Sequence, residues 1–171
     1  MARIAVAGLY TLETNLRIEG FPLPYYPVTT DVHALSNFDD AYNRDFMAAA
    51  DILFLSHEQL PCAPQEAIAA LRARFDPRVL VVGLGAGGAL LSERGADTLH
   101  VLAIAPRGVV NTIGAGDALF SDFVDQTLRG TCAPLALRNA ALFAGTKISE
   151  SGATCGLMNA ARFAEAIAAT Y

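Results

Sequence analysis

Two short runs, Ile52 to Leu55 and Val79 to Val82, contain no polar residue, and between them Pro64 to Phe75 repeats its apolar residues at helical spacing. A strand that is apolar at every position is buried on both faces. Parallel sheets achieve this by placing crossover helices on each side. Pro64 suits the first turn of that helix, where a missing N–H costs nothing, and Ala67, Ile68 and Leu71 form its inward face. Arg3 to Leu9 reads as a further strand, central in the sheet. Asp39 to Ala50 has a helical pattern with Tyr42, Phe46 and the alanines on one side. Ala89 to Leu91 and Thr98 to Leu102 read as short strands joined around Arg94-Gly95. Leu119, Phe120, Phe123, Val124 and Leu128 share one face of a helix that ends at Arg129-Gly130, with Asp122 and Asp125 on its solvated side. Pro134 to about Lys147 and Ala160 to Ala169 are two more helices, and Lys147 reads as a cation offsetting the helix dipole. Pro22, Pro24 and Pro27 exclude a helix there. The alternation implies an α/β layered fold with a mainly parallel sheet.

The 171 residues suffice for one domain with a real core. With 53% hydrophobic and 17% charged residues, the chain is globular. Its formal net charge of -5 and the lack of a Lys/Arg cluster argue against a general nucleic-acid binder. Cys62, Cys132 and Cys155 are widely spaced, and no metal-ligand spacing joins them to His33, His57 or His100. They read as reduced, mostly structural thiols in a reducing compartment. The apolar start is too short for a secretory or membrane segment, so a cytoplasmic location is expected.

The chemistry is concentrated in Asn111-Thr112-Ile113-Gly114-Ala115-Gly116-Asp117, which runs straight into a helical pattern. A helix start presents unpaired N–H groups and the positive end of a dipole, and so can bind an anion. Asp117 stands in that first turn. Amides that grip phosphate beside a carboxylate are what attack of a hydroxyl on a nucleotide's terminal phosphate requires. The helix dipole alone also favours an acidic residue there, so spacing does not decide between a site and a cap. Gly83-Leu84-Gly85-Ala86-Gly87-Gly88 fits the dinucleotide pattern. That pattern demands an immediate helix and an acidic residue about 20 positions on, and neither is present. A nicotinamide-dependent oxidoreductase is therefore a minor rival, and this loop reads as a glycine turn, either a plain one or one approached by a ligand.

Taken together, Gly85-Ala86-Gly87-Gly88-Ala89-Leu90-Leu91 and Asn111 through Asp117 resemble the PfkB/ribokinase family of carbohydrate kinases. Ile4 to Gly8 and Ala50 to Leu55 are similar to strands of that family. The resemblance is good over 31 to about 157 and weak over 1 to 28. It implies a ribokinase-like three-layer fold, truncated, with residues 1–28 as an N-terminal strand and Pro-rich segment and 31–171 as the nucleotide and catalytic half of one shortened domain. By the same resemblance Asp117 would be the catalytic base, and the amides of Gly114, Ala115 and Gly116 the anion hole. Gly85, Gly88 and Thr112 would lie along the nucleotide, ATP with Mg²⁺, and a sugar hydroxyl would be the acceptor. Glu13 and Asn15 fall where the family places polar sugar contacts.

Departures from the family pattern are specific. Asn111 replaces an Asp and Ile113 a Thr, at positions that help organise a monovalent-cation site in ribokinase-like members. The Mg²⁺-linked Asn-x-x-Glu motif reads Ser56-His57-Glu58-Gln59, which leaves a solvent-facing loop with Glu58 as the one candidate acid. Between Val28 and Asp31 the family carries the sugar clamp and lid, and nothing here matches them. Their loss should weaken turnover more than nucleotide binding. It should also uncover apolar surface, with Tyr25 and Tyr26 available to pack on a second copy in a homodimer. The alternative reading is a non-catalytic nucleotide- or metabolite-binding remnant completed by a partner chain.

Overall fold

The computed structural model describes residues 5–6, 27–152 and 155–171. Glu13, Asn15, Tyr25 and Tyr26 lie outside the described residues. The chain forms two compact units: Met1–Val82 with Ser92–Ala96, and Gly83–Leu91 with Asp97–Tyr171.

The first unit contains β1 (Ala5–Val6), β2 (Val28–Ala34), α1 (Arg44–Ala49), β3 (Ile52–Ser56), α2 (Pro64–Phe75) and β4 (Val79–Gly83). β1 pairs with β2 and β2 with β3, both in parallel, and β4 lies next to β3. Among the described residues β1 occupies the end of this order, not a central place. Ile52, Leu53, Leu80, Val81 and Val82 are at most 1% exposed, which is the two-sided burial their composition demands. α2 has the expected bounds, with Pro64 in its first turn and Ala67, Ile68 and Leu71 buried.

One element of this unit was not foreseen and one begins elsewhere than expected. β2 was not evident in the sequence, because Thr29 and Thr30 are polar yet only 1% exposed, and His33 breaks the pattern with a φ of 58°. α1 begins five residues later than the apolar pattern suggests. Asp40 accepts hydrogen bonds from the backbone N of Asn43 at 3.1 Å and from its Nδ2 at 2.6 Å, holding the chain in a turn. Met47 is the buried residue of α1, while Tyr42 and Phe46 are exposed and lean on each other with ring centroids 5.8 Å apart.

In the second unit a single 3₁₀ turn (Gly85–Gly87) leads into β5 (Ala89–Glu93), whose Ala89, Leu90 and Leu91 pair antiparallel with β6 (Leu99–Val101). Ser92 and Glu93, the end of β5, belong to the first unit. Three helices follow: α3 (Ala115–Leu128), α4 (Ala133–Lys147) and α5 (Ala160–Thr170). α4 is buried along most of its length, through Ala136, Leu137, Ala140 and Leu142. Asn159 caps α5 by accepting a hydrogen bond from the N–H of Arg162 at 3.0 Å. Cys132 and Cys155 are exposed, so the expectation of structural thiols fails for them; both are free, as is Cys62. No helix of the described residues is long and apolar enough to cross a membrane.

Candidate active site

The mouth of α3 is built by the loop that precedes it. Thr112 to Ala115 form a β-turn closed by a hydrogen bond from the Ala115 N–H to the Thr112 carbonyl at 3.0 Å. Gly114, third in the turn, has φ 79° and ψ 9°. These are the dihedrals of a type II turn, which requires a residue comfortable at positive φ. Asn111 Oδ1 accepts from the Ile113 N–H at 2.9 Å and fixes the approach to the turn. Gly114 is also the N-cap, and among the described residues no side chain caps the helix. In front of Gly116 nothing lies within 4 Å of where a Cβ would stand. Asp117 sits in the first helical turn and is exposed. Donor amides, open space and a solvent-accessible carboxylate thus share one helix end.

The C-terminal turn of α4 holds this loop from behind. The carbonyl of Ile148 accepts from the N–H groups of Val110 at 2.8 Å and Asn111 at 3.1 Å. Asn111 Nδ2 donates to the Ser151 carbonyl at 2.9 Å. Lys147 Nζ donates to the Ile113 carbonyl, and Lys147 is 0% exposed. Lys147 stands in the last turn of α4, as expected of a cation offsetting the helix dipole, but its full burial against the loop was not expected. The signal was present in the sequence: Lys147 falls seven residues after Ala140 and ten after Leu137, on the buried stripe of the helix.

The glycine loop before β5 has a structural reason for one of its two singled-out residues. Gly88 has φ 91°, and a Cβ there would lie 2.0 Å from the Val101 carbonyl oxygen. The loop is closed by the Leu84 N–H donating to the Gly88 carbonyl at 2.7 Å. His100 Nε2 lies 2.7 Å from the Gly87 carbonyl oxygen. Gly85 is exposed, and β5 follows at once, so no helix completes a dinucleotide motif. Thr112 is exposed, and its carbonyl closes the type II turn. His57, Glu58 and Gln59 are exposed, and Ser56 Oγ accepts from the Glu58 N–H at 3.2 Å. Among the described residues no three His, Cys, Asp or Glu side chains gather as metal ligands.

Asp122 departs from the solvated position expected of it. It is 8% exposed, and its Oδ2 has no hydrogen-bond partner among the described residues. It lines a cleft of about 410 Å³ with Phe143 of α4 and Phe163 and Ile167 of α5. Burial pushes its carboxyl up from 3.8 to about 6. The nearby Asp125 charge adds to the rise, while Gln126 and Arg129 oppose it. Asp125 is exposed, as its spacing suggests, and pairs with Arg129 at 2.7 Å.

Solved structures share this fold. A microbiome-derived acarbose kinase is 25% identical with a TM-score of 0.75, over 84% of this chain and 48% of its own length. An aminoimidazole riboside kinase from Salmonella enterica, complexed with aminoimidazole riboside and an ATP analogue, is 26% identical with a TM-score of 0.69, over 83% of this chain and 52% of its own. A ribokinase from Arabidopsis thaliana complexed with ribose and ATP is 22% identical with a TM-score of 0.71, over 83% and 47%. The chain therefore spans about half the length of the structures it matches. No curated protein sequence matches it. The family model of the pfkB family carbohydrate kinases matches residues 33–161, and the chain belongs to that family.

Proposed function

We propose that the chain is a sugar kinase that moves the terminal phosphate of ATP to a hydroxyl of a sugar or sugar derivative, with residues 31–171 as its nucleotide and catalytic half. The observation that carries this reading is the exposed Asp117 carboxylate, set in the first turn of a helix whose start, at Gly114 to Gly116, no side chain caps among the described residues. Asp117 takes the proton of the acceptor hydroxyl as that oxygen bonds to phosphorus, and the bond from phosphorus to the ADP oxygen breaks. The amides of Gly114 and Gly116 meet the charge on the transferring phosphoryl oxygens, and that of Ala115 joins them by sharing or leaving its turn hydrogen bond to the Thr112 carbonyl. Thr112 and the exposed Gly85 are assigned to the nucleotide, with Gly88 holding the loop against β6. Mg²⁺ travels with ATP and offsets phosphate charge that one helix end cannot neutralise. Two relatives at 25% and 26% identity are kinases of acarbose and of aminoimidazole riboside, which supports a sugar or glycoside acceptor.

The test is sugar-dependent ADP release over a panel of sugars and glycosides, beside calorimetry with ATP. Asp117→Asn should lower kcat by about 10²–10⁴-fold, the usual worth of a general base, and leave ATP affinity within about 3-fold. Equal rates in the variant would make Asp117 a helix cap. ATP binding without turnover on any acceptor would favour the non-catalytic remnant.

A further inference from the structure

We infer that Lys147 is a positioning residue that selects which way the Ile113–Gly114 peptide faces, and through it whether the anion hole is assembled. This rests on the proposed kinase reading for its catalytic consequence but not for its structural one. A trans peptide is planar, so its C=O and N–H point in opposite directions. Lys147 Nζ holds the Ile113 carbonyl on the α4 side. The Gly114 N–H is thereby aimed the other way, as a donor directed away from the buried ammonium. Type I and type II turns differ by rotation of this central peptide. Gly114, at φ 79°, is the residue that can adopt either form at low cost. Without the ammonium the peptide is free to turn over, and a carbonyl oxygen would then face the phosphate where an N–H stood.

Three features make Lys147 the deciding group. Its side chain is fully buried, and such a site holds a cation only when an acceptor compensates it. The adjacent Ile148 carbonyl already fixes Val110 and Asn111, so the loop is anchored on one side of the turn. Asn111 Oδ1 grips the Ile113 N–H, which belongs to the preceding peptide and so does not fix the central one. The grip on the Ile113 carbonyl comes from the Lys147 ammonium.

The experiment compares the wild type with Lys147→Met, a side chain of similar length that cannot donate. In the unliganded wild type, a type II turn gives a strong nuclear Overhauser contact between Ile113 Hα and the Gly114 N–H. In the variant this contact should weaken and one between the Ile113 and Gly114 N–H protons should grow. With a sugar acceptor found as above, kcat should fall about 10²-fold, as when one oxyanion donor is lost, while the KM for the sugar changes less than about 3-fold. Gly114→Ala, which disfavours positive φ, should produce the same spectral change with Lys147 intact. The double variant should lose little more than either single one. An unchanged Ile113–Gly114 pattern in Lys147→Met overturns the inference. Should that variant fail to fold, the wild type decides: a slowly exchanging Lys147 ammonium with contacts to Ile113 supports the inference, and its absence overturns it. A wild type with the expected turn but no turnover on any acceptor sinks the kinase reading alone.

Discussion

Replacing Asp122 by Asn should stabilise the protein at neutral pH and leave it almost unchanged in acid. The carboxyl is buried against Phe143, Phe163 and Ile167, and its protonated form is preferred in the folded state up to about pH 6. Unfolded, it ionises near 3.8. Between these values the folded chain binds more protons than the unfolded one, so stability falls as pH rises from about 4 to 6 and then levels off. At about 1.4 kcal/mol per decade of proton affinity, the interval from 3.8 to about 6 sets a ceiling of roughly 3 kcal/mol. Water entering the open cleft reduces this to about 1–2 kcal/mol at pH 7.5. Among the described residues no titratable group from α4 or α5 lines the cleft, so Asp125 and Arg129 are the charges to be considered. Urea unfolding of both proteins at pH 4 and pH 7.5 measures the effect. The Asp122→Asn variant should gain about 1–2 kcal/mol at the higher pH and less than about 0.5 at the lower. A gain of equal size at both values would show that charge burial is not the cause.

Two further substitutions probe the packing inside each unit, Gly145 in the second and Arg72 in the first. Gly145→Ala would place a Cβ 1.6 Å from the Ile104 carbonyl oxygen. It should cost more than about 3 kcal/mol by overpacking against backbone, read as a lower melting temperature with loss of the Val110 and Asn111 amide protection in hydrogen exchange. Arg72 donates through Nε to Ser92 Oγ at 2.9 Å and through its terminal nitrogens to the carbonyls of Ser92 and Pro77. Arg72→Met should strand those carbonyls and lower stability by about 1–3 kcal/mol, and no loss in urea unfolding would mean water replaces the guanidinium.

The elements legible in the sequence were those whose residues answer to one local rule. α2 declares itself through Pro64 and the spacing of Ala67, Ile68 and Leu71, and β3 and β4 through unbroken apolar runs. β2 was hidden because Thr29 and Thr30 are buried as polar residues, which no periodicity marks. At the candidate site, the turn and Asp117 followed from the glycines at 114 and 116 and the helix behind them. Asp122 and Lys147 did not. Each is a charged residue whose burial is set by a neighbouring helix or loop far away in the chain, α5 for the first and the Ile113 segment for the second. Tertiary packing overrides the local expectation in both.

The two-residue interval from Gly145 to Lys147 acts as a gauge. Gly145 admits the backbone of Ile104, and Lys147 reaches Ile113, so one turn of α4 fixes both ends of the strand-to-helix passage. An α-helix advances about 100° per residue. Inserting a single residue between them would swing one grip well away from its partner while the other stayed in place. The spacing therefore cannot drift by small steps, and even a whole inserted turn would restore the direction only by parting the two grips by about 5.4 Å along the axis.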